Sequence, residues 1–131
     1  MREIKYKAYI KELNLVLPVL LIQFDFKKVE VPATYSKHID TEYFNFEQVE
    51  LIQYTGLKDS KDNEIYEGDI VKISDHPFQG SIDINGNYEI YYNEYMELSC
   101  GGWYLHRMRH RAEVIGNKFE NPELLQGSDE E

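Results

Sequence analysis

Apolar residues in this chain recur at every second position in short bursts, and turn-forming clusters break each burst before it grows long. That combination restricts the fold to strands joined by tight connections. Ile4, Tyr6, Ala8 and Ile10 alternate with Glu3, Lys5, Lys7 and Tyr9, the pattern of a half-buried strand. Extended chain follows over Val19 to Phe26 and again at Val29 and Val31, until Pro32 ends the pattern. Residues Val49 to Tyr54 carry apolar weight on both faces, which predicts an interior strand. Thr55-Gly56 then turns the chain, the polar run Lys58 to Asn63 reads as a tight exposed turn, and Glu64 to Tyr66 completes a hairpin. Glu67-Gly68-Asp69 interrupts again, with Asp69 a turn-holder rather than an acid catalyst, before a strand at Ile70, Val71 and Ile73.

The strongest local hairpin signal is Asn85-Gly86-Asn87, set between Ile82, Ile84 and Tyr88, Ile90, Tyr92, where Asn-Gly suits a type I′ turn. Trp103 to Leu105 and Ala112 to Ile115 read as two strands around a basic insert. The stretch from Pro32 to Asn45 is patterned only weakly, as a loop or one short helix. Asn121-Pro122-Glu123 supplies a helix cap, a proline for the first helical position and an acid for the first turn. The expected architecture is mainly β, with an N-terminal strand-rich segment over 1–45, a second strand-rich region over 46–126, short helices, and a disordered acidic tail over 127–131.

At 131 residues with 42% apolar content the chain suits a single core with room for a small added layer. Its formal net charge of −10 argues against general affinity for duplex DNA or anionic membrane, leaving room only for a local basic patch. Cys100 is the only cysteine, so an intrachain disulfide and an all-cysteine zinc site are excluded and a reducing cytoplasm is the simplest setting. Leu98, Ser99, Gly101 and Gly102 give Cys100 no base or positive charge close by in sequence, so a buried or loop thiol is expected. The apolar run Leu13 to Ile22 follows four basic residues, but Asn14 and Pro18 interrupt it and it is too short to span a bilayer. It reads as core, with no membrane role.

Three blocks together resemble one family. They are Met1-Arg-Glu-Ile-Lys-Tyr-Lys-Ala; Leu51-Ile-Gln-Tyr-Thr-Gly-Leu-Lys-Asp followed by Asn63-Glu-Ile-Tyr-Glu-Gly-Asp-Ile-Val; and Glu113-Val-Ile-Gly-Asn with Glu120-Asn-Pro-Glu-Leu-Leu. In this order they resemble the YopX family of phage and prophage proteins, from Met1 to about Leu125. The resemblance implies an SH3-type β-barrel in the second half, here over 46–126 with the first 45 residues packed on it, and a phage or prophage origin in a bacterial host cell. It supplies no catalytic residues. Residues 13–46 and 74–111 depart from the pattern and are where specificity is expected.

The candidate sites are few. His38, His76, His106 and His110 lack accompanying ligands at metal-binding spacing, so no metal site is expected, although His106 and His110 would share a face if helical. No phosphate-cradling loop, nucleophile elbow or dinucleotide fingerprint is present, and no carboxylate pair is marked by an apolar pocket, so no enzyme activity and no cofactor is expected. His106-Arg107-Met108-Arg109-His110-Arg111 puts three arginines into an acidic protein; extended, it would line Arg107, Arg109 and Arg111 along one face. Pairing with this protein's own acids, or those of a neighbouring subunit, is the plainer account, and gripping phosphates the sharper one. Tyr88, Tyr91, Tyr92, Tyr95, Trp103 and Tyr104 exceed what one strand face can bury. An aromatic core accounts for any single ring, and a contact surface for the surplus.

The reading is therefore a non-enzymatic accessory protein that binds another protein or copies of itself as a homo-oligomer, using Arg107, Arg109, Arg111, Tyr91, Trp103 and Tyr104. Nucleic-acid binding through the arginines, with stacking by Trp103 or Tyr104, is an alternative that the net charge disfavours. A DNA mimic that turns its acids toward a basic host enzyme is another, resting on charge alone.

Overall fold

A computed structural model of the chain describes residues 3–74 and 85–126. The expectations for Ile82, Ile84, His76 and the tail over 127–131 lie outside the described residues. The fold is mainly β, and the chain divides into two compact units, Glu3–Gln53 and the remainder from Tyr54 onward.

In the first unit, β1 (Tyr6–Ile10), β2 (Leu15–Pro18), β3 (Leu21–Gln23), β4 (Lys28–Pro32) and β5 (Thr41–Asn45) precede a 3-10 turn at Phe46–Gln48 and the long β6 (Val49–Lys58), which crosses the division. β1 pairs antiparallel with β2 and with the start of β6, so that Ala8 faces both Leu17 and Leu51, and Ile10 both Leu15 and Val49. Side chains alternate across a strand, which buries Ala8 and Ile10 completely and turns Lys7 and Tyr9 the other way. β4 pairs antiparallel with β3 and β5, with Ile22 and Phe44 on either side of Val29. Ala8, Ile10, Leu17, Val29, Val31, Phe44 and Val49 form one core. Of the apolar run Leu13 to Ile22, Leu17 enters this core and Leu13, Leu15, Val19 and Ile22 pack against it, whereas Leu20 and Leu21 are exposed.

Two details of this unit depart from the sequence reading. Val19 to Phe26 is not one extended piece: β3 ends at Gln23, and a turn with Lys27 at φ 55° reverses the chain into β4. The turn leaves Phe24 and Phe26 mostly exposed, so their rings imitate a strand pattern without entering the sheet. Thr41–Asn45 is a strand rather than a loop, because β4 supplies its hydrogen-bonding partner, while of its side chains only Phe44 is buried. One buried residue in five is too little periodicity to detect without the partner.

The second unit holds the remainder of β6, then β7 (Glu64–Tyr66), β8 (Asp69–Ile73), β9 (Gly86–Tyr92), β10 (Leu98–Cys100), β11 (Trp103–Tyr104), α1 (Leu105–Met108), a 3-10 turn at Arg109–Arg111, β12 (Ala112–Asn117) and α2 (Glu123–Gln126). A five-stranded sheet runs in the order β11-β10-β9-β8-β12. Its core is Ile65, Val71, Ile73, Ile90, Cys100, Leu105, Met108 and Ala112. The Asn-Gly pair does not form the predicted hairpin turn: Gly86 and Asn87 already belong to β9, opposite Ile73 and Lys72 of β8. Sheet pairing over the whole of β9 outweighs the local turn preference of two residues. Asn87 is used elsewhere, its amide donating to the Leu124 carbonyl at 3.0 Å.

The family-like blocks prove to be joints. Thr55 donates its hydroxyl to the Ile65 carbonyl at 2.7 Å, tying β6 to β7 where their register slips between Tyr54 and Lys58. Asp69 accepts the Tyr66 amide at 2.7 Å across Gly68, which has φ 89°. Asp59 was expected on an exposed turn, yet it is buried, with Oδ1 accepting the amides of Lys61 and Asn63 and Oδ2 that of Val114, each at 2.8 Å. Near the end of the described chain, Asn117 Oδ1 accepts the amides of Phe119 and Glu120, and Asn121 Oδ1 accepts the Asn117 amide. Gly116 makes that packing possible: a Cβ there would lie 2.6 Å from Asn121 Oδ1.

Gly101 connects β10 to β11 at φ 61°, a left-handed conformation that a side chain disfavours, and a Cβ would lie 2.6 Å from Tyr88 Cδ1. Tyr88 packs edge-on against Trp103, with ring centroids 5.8 Å apart. Gly101→Ala should therefore destabilise the protein by about 2 kcal/mol, combining backbone strain with displaced aromatics. Chemical denaturation monitored by the fluorescence of the single tryptophan measures the shift.

Candidate functional site

The β9–β10 connection is organised by Asn93, whose Oδ1 accepts the amides of Tyr95 and Glu97 at 2.9 Å each. The Met96 amide donates to the Asn93 carbonyl, and Met96 itself sits at φ 62°. Tyr95 and Met96, at the tip of this turn, are each 75% exposed. Glu97 follows, and its carboxylate accepts the Asn93 amide group at 2.9 Å and the Tyr104 hydroxyl at 3.3 Å. That second bond links β10 to the end of β11.

After Tyr104 the chain turns helical, and Leu105 and Met108 go into the core. Burial of these two residues turns the intervening His106 and Arg107 outward, and the His106 ring stacks on Tyr104 at 5.8 Å and 20°. Thr55, Gly56, Leu57, Glu97, Leu98, Tyr104 and His106 together enclose an open cleft of about 500 Å³. Leu57 and Leu98, both packed on the core, supply apolar surface, Glu97 a carboxylate and His106 an imidazole. Glu97 makes no ion pair with any described residue.

The sequence-derived candidates do not gather into one surface. Tyr104 lines the cleft, whereas Trp103 packs against the core and meets Tyr88. Tyr91 is half-buried with its hydroxyl donating to the Gly101 carbonyl at 2.6 Å, a structural bond. The arginines lie on a helical path rather than in an extended row, which spreads them around an axis. Arg107 is exposed and makes no hydrogen bond or ion pair with a described residue. Arg109 donates to the Lys58 carbonyl at 3.0 Å, and Arg111 closes the 3-10 turn with its carbonyl accepting the Ser74 amide at 3.2 Å. The helical path follows from Leu105 and Met108, three residues apart and both buried, a spacing that fits a helix and not a strand.

Two groups with nucleophilic or acidic chemistry, Cys100 and Asp59, are committed to the interior. Cys100 is fully buried, and burial pushes its thiol up to about 12, so it stays protonated at neutral pH. Burial of Asp59 would raise its pKa, but its hydrogen bonds from Val114, Asn63 and Lys61 outweigh that and hold the carboxylate below its ordinary value. Among the described residues no three His, Cys, Asp or Glu side chains gather as a metal site, and no described helix is long and apolar enough to cross a membrane.

Sequence reading passed over Thr55, Gly56, Leu57, Glu97 and Leu98 as site residues. Glu97 is one of 24 acids and carries no local mark, since the Tyr104 hydroxyl reaches it only once β10 and β11 pair.

The family model described as "YopX protein" matches residues 5–126. The chain is similar in structure to protein EF1440 from Enterococcus faecalis, known from a crystal structure, with a TM-score of 0.65 and 25% sequence identity over 95% of this chain and 99% of that one. Comparison with curated proteins gives no match.

Proposed function

The chain belongs to the YopX family, matched over residues 5–126, and from that premise we propose that it is a non-enzymatic binding module whose second unit docks a segment of another protein in the cleft. The observation that carries this reading is the stacked Tyr104–His106 pair lining an apolar-walled cleft. Exposed aromatic rings beside apolar surface supply large contact area at small conformational cost, which is what a protein-binding patch uses. One wall, Thr55 to Leu57, comes from the central family-like block; the other, Glu97, Leu98, Tyr104 and His106, comes from the stretch that departs from the family pattern. The setting in this reading is the cytoplasm of a bacterium carrying the phage or prophage.

Site-resolved crosslinking in the cell of origin tests it. A photoreactive residue at position 106 should crosslink one protein, the same residue at exposed position 113 on β12 should not, and Tyr104→Ala should abolish the product. Light scattering on the purified chain identifies whether the crosslinked protein is a second copy. Equal crosslinking from both positions, or none from 106, overturns the reading.

A further inference from the structure

The cleft is chemically one-sided. Its carboxylate, Glu97, is held in place by Asn93 and by the Tyr104 hydroxyl, and both of those groups donate hydrogen bonds without neutralising its charge. No described cation pairs with it. Arg109, the nearest arginine in sequence to have a defined partner here, is committed to the Lys58 carbonyl. A fixed, half-buried anion between the apolar side chains of Leu57 and Leu98 and a stacked aromatic pair presents complementary chemistry to one kind of group. That group is a flat or elongated cation with an apolar stem.

We infer that the occupant of the cleft is a basic peptide segment that lays an arginine or lysine stem along Leu57 and Leu98, places its cation on Glu97, and packs against Tyr104. This rests on the docking reading above and names the partner's chemistry. A guanidinium fits best, since it can pair with a carboxylate through two parallel hydrogen bonds and stack on a tyrosine face at the same time. The exposed Tyr95 and Met96 precede Glu97 directly and extend the contact to an apolar residue flanking the basic one. The net charge of −10 acts in the same direction, drawing basic segments to the protein from a distance and accelerating their arrival. The same charge and the anion inside the cleft repel a phosphate backbone, which sets a nucleic acid aside as occupant despite the exposed Arg107.

The probe is a displayed library of random twelve-residue peptides selected on the full-length protein, with a second selection on Tyr104→Ala to identify those that use the cleft. Cleft-dependent peptides should be enriched in arginine, with lysine second, at one fixed position beside an apolar residue. Their affinity should fall about tenfold or more with Glu97→Gln, which preserves shape and removes charge. Glu97→Lys should redirect the selection toward acidic peptides; thermal melts of both variants verify that the fold is retained. Cleft-dependent peptides that are neutral or acidic, or that are indifferent to Glu97→Gln, overturn this inference and leave the docking reading standing. A failure to select any cleft-dependent peptide removes both. Binding of a single-stranded oligonucleotide that requires Tyr104 and Arg107 overturns both in favour of a nucleic-acid partner.

Discussion

Asp59→Ala should lower the unfolding free energy by about 3 kcal/mol at neutral pH, one of the two largest effects of any single substitution considered for this chain. The carboxylate accepts three backbone amides, from Lys61, Asn63 and Val114, and the Asn63 side chain at 3.3 Å. Hydrogen bonds to a charged group contribute roughly 1.5–3 kcal/mol each, but the cost of burying the carboxylate offsets much of their sum, so the net loss is well below four full bonds. The Val114 bond matters most for the fold because it fastens the 58–63 turn to β12, a contact reinforced by Ser60 donating to the Ala112 carbonyl at 2.9 Å.

The same bonds give the protein an acid-sensitive component of stability. The pKa of Asp59 in the folded chain lies below its unfolded value of 3.8, so the folded state prefers the ionised form. Its contribution is complete above the unfolded value and is lost as pH falls toward and through the folded one. Wild type and Asp59→Asn should therefore differ by a constant amount near neutral pH, with the gap narrowing only below about pH 4. Urea denaturation at a series of pH values, read through the m-value and midpoint, measures this directly. A gap that stays constant down to pH 2 would show that the ionised carboxylate is not what the three amides bind.

How far the sequence disclosed this structure depends on whether a feature is local or made by pairing. Alternation exposed β1 and β8 because each has consecutive buried positions on one face, such as Ala8 and Ile10. Asp69 was legible as a turn-holder since its partner, Tyr66, lies three residues away. Asp59 was not, because the residue that makes it structural is Val114, 55 positions distant. Asn85-Gly86 misled for a related reason, as a two-residue signal was outweighed by the pairing of β8 with β9. The sequence left the arginine segment open between an extended row and a helix, because the burial of Leu105 and Met108, which makes it helical, depends on the core beneath. Tyr104 is the one candidate that stands in the cleft; Glu97 and Leu57 meet there only after distant strands have closed around them.

Leu105→Ala should have the other large effect, about 3 kcal/mol within the 2–5 kcal/mol range usual for removing a buried leucine, and it should change binding as well as stability. Leu105 is fully buried in the core of the second unit and is the first residue of α1. A helix of one turn has little stability of its own and keeps its shape only through the side chains it buries. Truncating Leu105 therefore opens a cavity and loosens the turn that sets His106 against Tyr104. Arg107→Ala, on the exposed side of the same turn, should change stability by less than about 0.5 kcal/mol. Comparing the two separates support of the cleft from surface charge. Under conditions where Leu105→Ala is still folded, its affinity for any ligand that uses the cleft should fall, with faster dissociation, while Arg107→Ala retains both stability and affinity. Should Leu105→Ala lose stability yet bind unchanged, the Tyr104–His106 pair would be no part of the recognition surface, and the contact would have to be carried by Leu57, Glu97 and Leu98 alone.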